Sequence, residues 1–161
     1  MASRFPSVDC EPIGIVRSPR TAKRDDEWGG VESRIELDAE TFGPEALRGL
    51  EEFSHAEIVF YLHRVDEDQI EWGSRRPRNN AAWPEVGIFA QRGKGRPNRL
   101  GISRCRVRRV DGTAVHVTGL DAIDETPVLD IKPYMEEFGP HGELEQPRWA
   151  VELMERYYDS S

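Results

Sequence analysis

The sequence predicts a mainly β fold, an antiparallel barrel or strongly coiled sheet with peripheral helices. Short alternating or apolar runs outnumber helical patterns, and they follow one another as hairpins and meanders, not as β-α-β units. A length of 161 residues suits one domain that is large enough for its own hydrophobic core.

Two predicted strands open the domain. Residues 12–18, PIGIVRS, form the first, with Ile13 and Ile15 facing inward, and residues 31–37, VESRIEL, alternate as a strand with one solvated face. The loop between them, residues 20–30, contains Asp25-Asp26-Glu27-Trp28 and is called the acidic loop. Carboxylates beside an exposed indole can hold a cation, or a ribose and base edge. Alternatively, the tryptophan packs down as a lid on an ordinary loop.

The middle of the chain combines one helical pattern with the most apolar stretch. Residues 41–53 predict a short amphipathic helix with an apolar face of Leu47, Leu50 and Phe53. The next run, Ala56 to Val65, is predicted to be a central strand. A long loop over residues 66–84 follows, with a brief strand near Ile70 to Trp72.

The second half reads as a hairpin flanked by loops. Val86 to Ala90 is predicted to be a short buried strand that enters a glycine-rich basic loop over residues 91–99. Leu100 to Val110 alternates, and Asp111-Gly112 predicts the turn into a return strand. A carboxylate-rich loop and short strand occupy residues 121–134. A C-terminal helix from about residue 147 to 158 has the apolar stripe Trp149, Leu153, Met154 and Tyr157.

Charge is unevenly distributed along the chain. The formal net charge is −8, yet residues 75–109 contain eleven basic side chains and one acidic one, Glu85. A basic zone on an acidic body can bind phosphate locally, while the acidic remainder suppresses indiscriminate nucleic-acid binding. The alternative is that these arginines pair with nearby carboxylates.

Missing motifs exclude several kinds of site. The chain has no GxGxxG after its first strand, no Walker loop, no GxSxG elbow and no HExxH. Its four histidines lack ligand spacing and Cys105 falls on an inward face, so neither a metal site nor a cysteine nucleophile is predicted. Two cysteines without a signal-peptide core or a membrane-length apolar run predict a cytoplasmic protein without a disulfide.

Four segments carry a resemblance, in the same order along the chain. They are IGIVRSP (13–19), GLEEFSHAEIVFYLHR (49–64), VGIFAQRGKGRPNRLGIS (86–103) and GLDAIDETPVLDIKPY (119–134). Together they resemble the TrmO family of S-adenosylmethionine-dependent tRNA (adenine-N6)-methyltransferases, also called TsaA-like or YaeB-like proteins. The resemblance implies a small β barrel, not a Rossmann fold, and a homodimer with S-adenosylmethionine near the subunit interface. It also implies methyl transfer to N6 of threonylcarbamoyladenosine beside the anticodon of tRNA.

The resemblance further implies a cofactor site drawn from five segments. Its residues are Asp26, Glu27, Trp28, His63, Arg64, Arg92, Ile102, Asp124, Glu125, Thr126, Pro127 and Val128. An amide-like nitrogen is a weak nucleophile that needs a proton acceptor, and our catalytic candidates are Asp130 and Tyr134. From charge alone, RNA-binding residues are expected at Lys94, Arg96, Arg99, Arg106 and Arg108. The first three of these face either RNA or the second subunit.

The chain departs from the family pattern at the acidic loop, where relatives have a Pro-Arg-Gln run, and it ends soon after the shared core. We expect a flexible arm (1–11), a methyltransferase domain (12–138) and a tail with a short helix (139–161). Two other functions stay open. One is a module that binds S-adenosylmethionine or a nucleotide without turnover, and the other is a small-molecule methyltransferase.

Overall fold

A closed antiparallel barrel forms the body of the protein. The computed structural model describes residues 3–160. Within that range, six strands close the barrel in the order β1-β2-β7-β6-β3-β8, and β4 pairs with β5 in a separate two-stranded sheet. The strands are β1 Gly14–Arg17, β2 Glu32–Leu37, β3 His55–Tyr61, β4 Ser74–Arg75, β5 Val86–Gly87, β6 Leu100–Asp111, β7 Ala114–Thr118 and β8 Pro127–Pro133. The predicted barrel is confirmed.

The helical segments are short and lie between or after the strands. One α-helix, α1 (Arg148–Met154), occurs among residues 3–160 and falls inside the predicted C-terminal helix. The remaining helical segments are 3₁₀ turns at Pro44–Leu47, Leu50–Glu52, Glu67–Gln69, Pro77–Asn79, Ile88–Ala90, Pro97–Arg99 and Glu136–Phe138.

Every second side chain of the paired strands points into the barrel and fills its interior. In β2, Ser33 and Ile35 are buried, and they pair directly with Val117 and Val115 of β7, which are also buried. Facing residues of paired strands lie on the same side of the sheet, so one inward face continues from strand to strand. The β6–β7 hairpin turns at Gly112, whose φ of 62° lies in the left-handed region that glycine adopts without a Cβ clash.

The ring closes at a seam between β1 and β8. Gly14 pairs with Val128 and Ile15 with Pro127. The Ile13 amide donates to the Val128 carbonyl at 2.8 Å, and the Val16 amide donates to the Thr126 carbonyl at 2.9 Å. The seam therefore ties the start of β8, with the turn before it, to the first strand.

The predicted orientation of the first strand is wrong. Val16 is fully buried, whereas Ile13 and Ile15 are only half-buried. The reason is the register: Val16 pairs with Ile35, whose side chain points into the barrel. Gly14 shares that inward side, and a Cβ there would meet the Glu36 carbonyl oxygen at 2.3 Å.

The predicted amphipathic helix over residues 41–53 is also wrong, since two 3₁₀ turns replace it. Gly49 stands between the turns with φ 92°, a left-handed conformation that ends a helical segment. Leu47 and Leu50 still reach the core, because one buried residue per turn is enough to place both side chains against the barrel. The apolar spacing identified the buried residues but not the backbone that presents them.

Two strand positions are corrected around the excursion between β3 and β6. The brief strand expected at residues 70–72 lies instead at Ser74–Arg75, where it pairs with Val86–Gly87. The expected strand over residues 86–90 stops at Gly87 and continues as a 3₁₀ turn. Within that turn Ile88 is buried and Phe89 is exposed, so the apolar run does not enter the core as a whole.

Substituting Gly101 with alanine should destabilise the barrel by about 1–3 kcal/mol. Gly101 pairs with Phe60, and a Cβ at this position would lie 2.3 Å from the Phe60 ring, which fills the interior beneath β6. Urea denaturation measures the change. Gly87→Ala is the matched control, since a Cβ there meets nothing within 4 Å. Equal stability of the two variants would contradict this packing.

Candidate functional site

The turn before β8 anchors one end of the barrel. The Ser18 amide donates to Asp124 Oδ1 at 3.0 Å, and the Asp124 amide donates to the Arg20 carbonyl at 2.7 Å. Glu125 is exposed and holds a left-handed φ of 67°, while its amide donates to the Val16 carbonyl at 2.8 Å. These bonds place the Asp124–Glu125 carboxyl groups directly beside the start of the acidic loop.

Arg20 organises the acidic loop from within. Its guanidinium lies 4.2 Å from the centroid of the Trp28 ring and donates to the Asp26 carbonyl at 2.9 Å. Trp28 is only 3% exposed, and its indole N–H donates to the Asp25 carbonyl at 3.2 Å. Of the two sequence interpretations, the packed lid is therefore correct, and the exposed indole is wrong.

The carboxylates of the acidic loop are held by cations from distant segments. Both oxygens of Asp26 accept from the Arg78 guanidinium at 2.9 and 3.2 Å. Asp25 lies 3.5 Å from Lys94 Nζ, and Glu27 pairs with Arg156 at 3.1 Å and with Arg24. The acidic loop is thus held by Arg78 and Lys94, which lie between β3 and β6, and by Arg156 near the end of the chain.

The exit of β3 contributes His63 and Arg64 to the same end. Arg64 donates to the Thr21 carbonyl at 2.6 Å, which ties the strand exit to the acidic loop. Burial lowers the pKa of His63, the neighbouring Arg64 lowers it further, and Glu125 opposes the change. A lowered pKa favours the neutral imidazole near neutral pH.

Arg92 and Ile102 meet through the backbone of β6. The Arg92 guanidinium donates to the Ile102 carbonyl at 3.0 Å, and the Ile102 side chain is 44% exposed on the outer face of the barrel. Thr126 and Val128 are buried, with the Thr126 hydroxyl donating to the Ile123 carbonyl at 2.7 Å. Their side chains therefore shape the turn, and Pro127 continues it into the seam.

A buried contact that sequence reasoning missed joins the C-terminal segment, residues 147–160, to this end. The Tyr157 hydroxyl donates to Asp121 Oδ2, and the Trp28 amide donates to the Tyr157 carbonyl at 2.8 Å. Asp121 is half-buried as a residue, but its Oδ1 is enclosed and has no hydrogen-bond partner among residues 3–160. The only sequence signals were a tyrosine in the predicted helix stripe and one carboxylate among many.

Burial sets the protonation of the groups around this contact. It raises the pKa of Asp121, while the hydrogen bond from Tyr157 acts in the opposite direction. It also raises the pKa of Tyr157, and the Asp121 carboxyl adds to that increase. Burial raises the pKa of the Cys105 thiol to about 12, so the thiol stays protonated and is no nucleophile at neutral pH.

The two catalytic candidates lie elsewhere, Asp130 on β8 and Tyr134 just after its end. The strand begins at the seam and runs away from it, so Tyr134 lies beyond the far end of β8, where its amide donates to the His55 carbonyl at 2.9 Å. Its ring stacks 4.8 Å beneath the Arg104 guanidinium. Asp130 lies midway along the strand, with Lys132 Nζ 3.1 Å from its carboxylate. The described contacts do not bring either residue to the group at the barrel end.

The basic residues expected to bind RNA divide into two sets. Arg96 donates to the Gln91 carbonyl at 2.6 Å, and Arg99 donates to the Val65 carbonyl at 2.7 Å. These two guanidinium groups, with Lys94 beside Asp25, have partners inside the protein. Arg106 and Arg108 are exposed on β6, and Arg108 sits at the register shift between β6 and β7.

Comparison with known proteins identifies the family. A family model described as the tRNA-methyltransferase O N-terminal domain matches residues 16–139. The chain belongs to the TrmO family. The match includes the barrel except the first two residues of β1, and every site residue named above except those of the C-terminal segment.

Two relatives support this assignment, and they differ in the share of their own length that aligns with this chain. A mouse protein named tRNA (adenine(37)-N6)-methyltransferase is 42% identical over 93 residues, which is 58% of this chain and 21% of the mouse protein. A probable S-adenosyl-L-methionine-binding protein of Methanothermobacter thermautotrophicus is 36% identical over 139 residues, 84% of this chain and 96% of that protein. The chain thus spans about a fifth of the mouse relative.

A solved TrmO structure from P. aeruginosa has the same fold. It superposes with a TM-score of 0.73 at 26% identity, over 91% of this chain and 63% of that chain. Among residues 3–160, no group of three or more His, Cys, Asp or Glu side chains is arranged to hold a metal ion. No helix in the same range has the length and apolarity needed to cross a membrane.

Removing the Tyr157 hydroxyl should destabilise the protein by about 1–3 kcal/mol, because it leaves an enclosed carboxylate without its donor. Urea denaturation of Tyr157→Phe measures this effect. Tyr158→Phe is the control, since no hydrogen bond involves the Tyr158 hydroxyl within residues 3–160, and it should change stability by less than about 0.5 kcal/mol. Similar values for both variants would show that the Asp121 contact contributes nothing.

Asp121→Asn should alter the pH dependence of stability. Because the pKa of Asp121 is raised in the folded protein, the native state binds more protons than the unfolded chain between the ordinary and the raised pKa. Its contribution to the free energy of unfolding therefore falls as pH rises through that window. From about pH 4 upward, the wild type should lose stability relative to Asp121→Asn. A constant offset between Asp121→Asn and the wild type across this range would refute the raised pKa.

Proposed function

We propose that the protein is an S-adenosylmethionine-dependent methyltransferase that methylates N6 of threonylcarbamoyladenosine beside the anticodon of tRNA. The observation that supports this most strongly is the convergence of three family-matched segments at one end of the barrel. The Arg64 guanidinium donates to the Thr21 carbonyl of the acidic loop. The Asp124 carboxylate accepts from the Ser18 amide, and the Asp124 amide donates to the Arg20 carbonyl. The mouse and archaeal relatives, a tRNA (adenine(37)-N6)-methyltransferase and a probable S-adenosyl-L-methionine-binding protein, suggest the reaction and the cofactor.

The residues at this end suit a ligand that carries a sulfonium, a ribose and an amino-acid carboxylate. The exposed carboxylate of Glu125 favours a cation or accepts from ribose hydroxyl groups. His63, with its lowered pKa, adds no positive charge beside the sulfonium. Arg92 supplies a guanidinium for the ligand carboxylate. The remaining proposed contacts are Asp26, Glu27, Trp28, Arg64, Ile102, Asp124, Thr126, Pro127 and Val128.

Some of these residues would act through the backbone or by packing. Trp28 and Val128 are buried, and the Asp26 carboxylate is occupied by Arg78, so their roles are to hold the acidic loop and the 124–128 turn in place. Exposed backbone in this turn and the Glu125 side chain would then meet the ligand. The left-handed φ of Glu125 indicates a conformation that the surroundings maintain.

Most of the rate enhancement would come from positioning. When bound, S-adenosylmethionine supplies an activated methyl group that the acceptor nitrogen takes by in-line displacement, so alignment and exclusion of water lower the barrier. The nitrogen loses a proton, and Asp130 and Tyr134 stay our candidates for accepting it. Because both lie away from the barrel end, they would serve this site only if the partner subunit brings them there.

A homodimer would provide that arrangement. The outer face of the β3–β6 pair carries Leu100 and Ile102, 45% and 44% exposed, opposite Tyr61 and Val59. We propose that a second copy covers this face, which adjoins Arg92 through the Ile102 carbonyl. A tRNA-modifying enzyme of this kind would act in the cytoplasm. Arg106 and Arg108, exposed on the same strand β6, would bind RNA phosphates.

A second function rests on one comparison. The archaeal relative that this chain nearly spans is named as a binding protein, not as an enzyme. A module that binds S-adenosylmethionine without turnover would also need no proton acceptor at the barrel end.

Incubating the protein with methyl-labelled S-adenosylmethionine separates these functions. Unmodified tRNA, tRNA containing threonylcarbamoyladenosine and a metabolite extract are the acceptors. We expect label only in the threonylcarbamoyl-containing tRNA, recovered in its nucleoside by mass spectrometry. Tight binding without transfer to any acceptor would favour the binding module, and label in the extract alone would favour a small-molecule methyltransferase.

Arg92→Ala should weaken S-adenosylmethionine binding by about 1–3 kcal/mol, because a charge-assisted hydrogen bond is lost. Titration calorimetry measures the affinity. Arg92→Lys keeps the positive charge and should retain most of the binding, whereas Arg92→Gln keeps a donor for the Ile102 carbonyl but should bind as weakly as alanine. Unchanged affinity in Arg92→Ala would contradict its placement in the site.

Ile102→Glu should convert the dimer to a monomer, since it places a charge in the centre of the proposed apolar interface. Sedimentation velocity measures the mass in solution. Val151→Glu is the control, because Val151 is 54% exposed and lies on α1, outside strands β3 and β6. A wild-type monomer, or a dimer that survives Ile102→Glu, would rule out this interface.

A further inference from the structure

Two large aromatic side chains are exposed on the flap, residues 72–99. Phe89 is 77% exposed and Trp72 is 58% exposed. Phe89 belongs to the apolar run that the sequence predicts to be buried, yet only Ile88 from the centre of that run enters the interior, at 1% exposure. Packing within residues 3–160 therefore does not account for an aromatic residue at either position, and two exposed aromatic side chains close together are typical of an interaction site.

The flap holds these two residues on adjoining backbone. Ser74 pairs with Gly87, and the Ile88 amide donates to the Gly73 carbonyl at 2.9 Å. Trp72 and Phe89 are the next residues on either side of that bond. Neither ring forms a ring-to-ring contact with another aromatic side chain within residues 3–160.

A buried glutamine makes this small sheet rigid. Gln91 is 7% exposed, and its side-chain amide donates to the carbonyls of Arg75 and Val86, both at 2.9 Å. The Gln91 side chain thereby joins β4 to β5. The Gln91 backbone carbonyl accepts a hydrogen bond from Arg96 at 2.6 Å. A rigid platform loses little conformational freedom when a ligand binds.

The electrostatic surroundings favour a polyanion. The flap contains seven basic residues and one acidic residue, on a chain whose net charge is −8. Arg78 and Lys94 form ion pairs with the acidic loop, whereas the other five basic side chains form no ion pair within residues 3–160. It also adjoins the proposed cofactor site, because Lys94 lies 3.5 Å from Asp25 and Arg92 donates to the Ile102 carbonyl. The flap that would hold an RNA ligand therefore contacts two segments of the proposed cofactor site.

We propose that Trp72 and Phe89 form a stacking platform for unpaired bases of the RNA substrate. Aromatic side chains surrounded by cations bind single-stranded RNA, since each base offers a face to stack on and each phosphate a charge to neutralise. The platform orients nucleotides next to the one that is methylated. This inference rests on the proposed function, because it assumes an RNA substrate.

The test compares RNA binding by the full chain and by Trp72→Ala/Phe89→Ala. The probes are a fluorescent single-stranded RNA of about ten nucleotides, which covers a typical single-strand site, and its blunt duplex. Fluorescence anisotropy gives both affinities, and calorimetry gives the affinity for S-adenosylmethionine. The matched control is Phe5→Ala/Phe138→Ala, which removes two rings that are 67% and 76% exposed outside the flap.

We expect the flap variant to bind the single strand at least about tenfold more weakly, with its duplex and S-adenosylmethionine affinities unchanged. The control should bind like the wild type, and Trp72→Phe/Phe89→Tyr should restore single-strand binding. Equal single-strand affinity for the flap variant and the wild type would overturn the platform alone. So would a flap variant that loses dimerisation, which would identify a second copy as the occupant. If the wild type binds neither RNA, the platform is overturned as well, whereas transfer of labelled methyl to tRNA tests the RNA substrate independently.

Discussion

Hydrogen bonds across the β1–β8 seam support both the fold and the proposed site. The Ile13 amide donates to the Val128 carbonyl, and the Val16 amide donates to the Thr126 carbonyl. The Glu125 amide donates to the Val16 carbonyl. These bonds close the barrel and, by the same geometry, fix the turn that carries Asp124 and Glu125 beside the acidic loop. Any change that opens the seam would therefore remove the site together with the fold.

The acidic loop is held in place from three directions. Arg20 supports it from below through the Trp28 ring, Arg78 and Lys94 neutralise its carboxylates from the flap, and Arg156 approaches from the C-terminal segment. Four of the eleven basic residues between 75 and 109 form ion pairs, namely Arg78, Lys94, Arg104 and Arg109, so the interpretation that these residues pair with carboxylates holds for part of the basic zone. Because exposed ion pairs individually contribute little, the position of the loop depends more on the buried Trp28 and on backbone bonds.

The strand pattern was readable from the sequence because alternation reports directly which side chains enter a barrel. The alternation of β2 and the β6–β7 turn were predicted correctly, whereas the orientation of β1 depended on its pairing with Ile35, a relation between strands that no local pattern contains. Similarly, Gly49 broke a helix whose apolar spacing was correct. The Asp121–Tyr157 contact joins residues far apart in sequence, so only the folded structure could place them together.

A crystal structure of this protein with S-adenosylmethionine bound tests the central claim most directly. We predict the ligand at the barrel end, with its carboxylate at Arg92 and its ribose and sulfonium beside the turn of residues 124–128 and the exit of β3. We also predict that one side of the bound S-adenosylmethionine faces the flap. A ligand found at the opposite end of the barrel, or on the outer surface away from Arg92 and Glu125, would contradict the account.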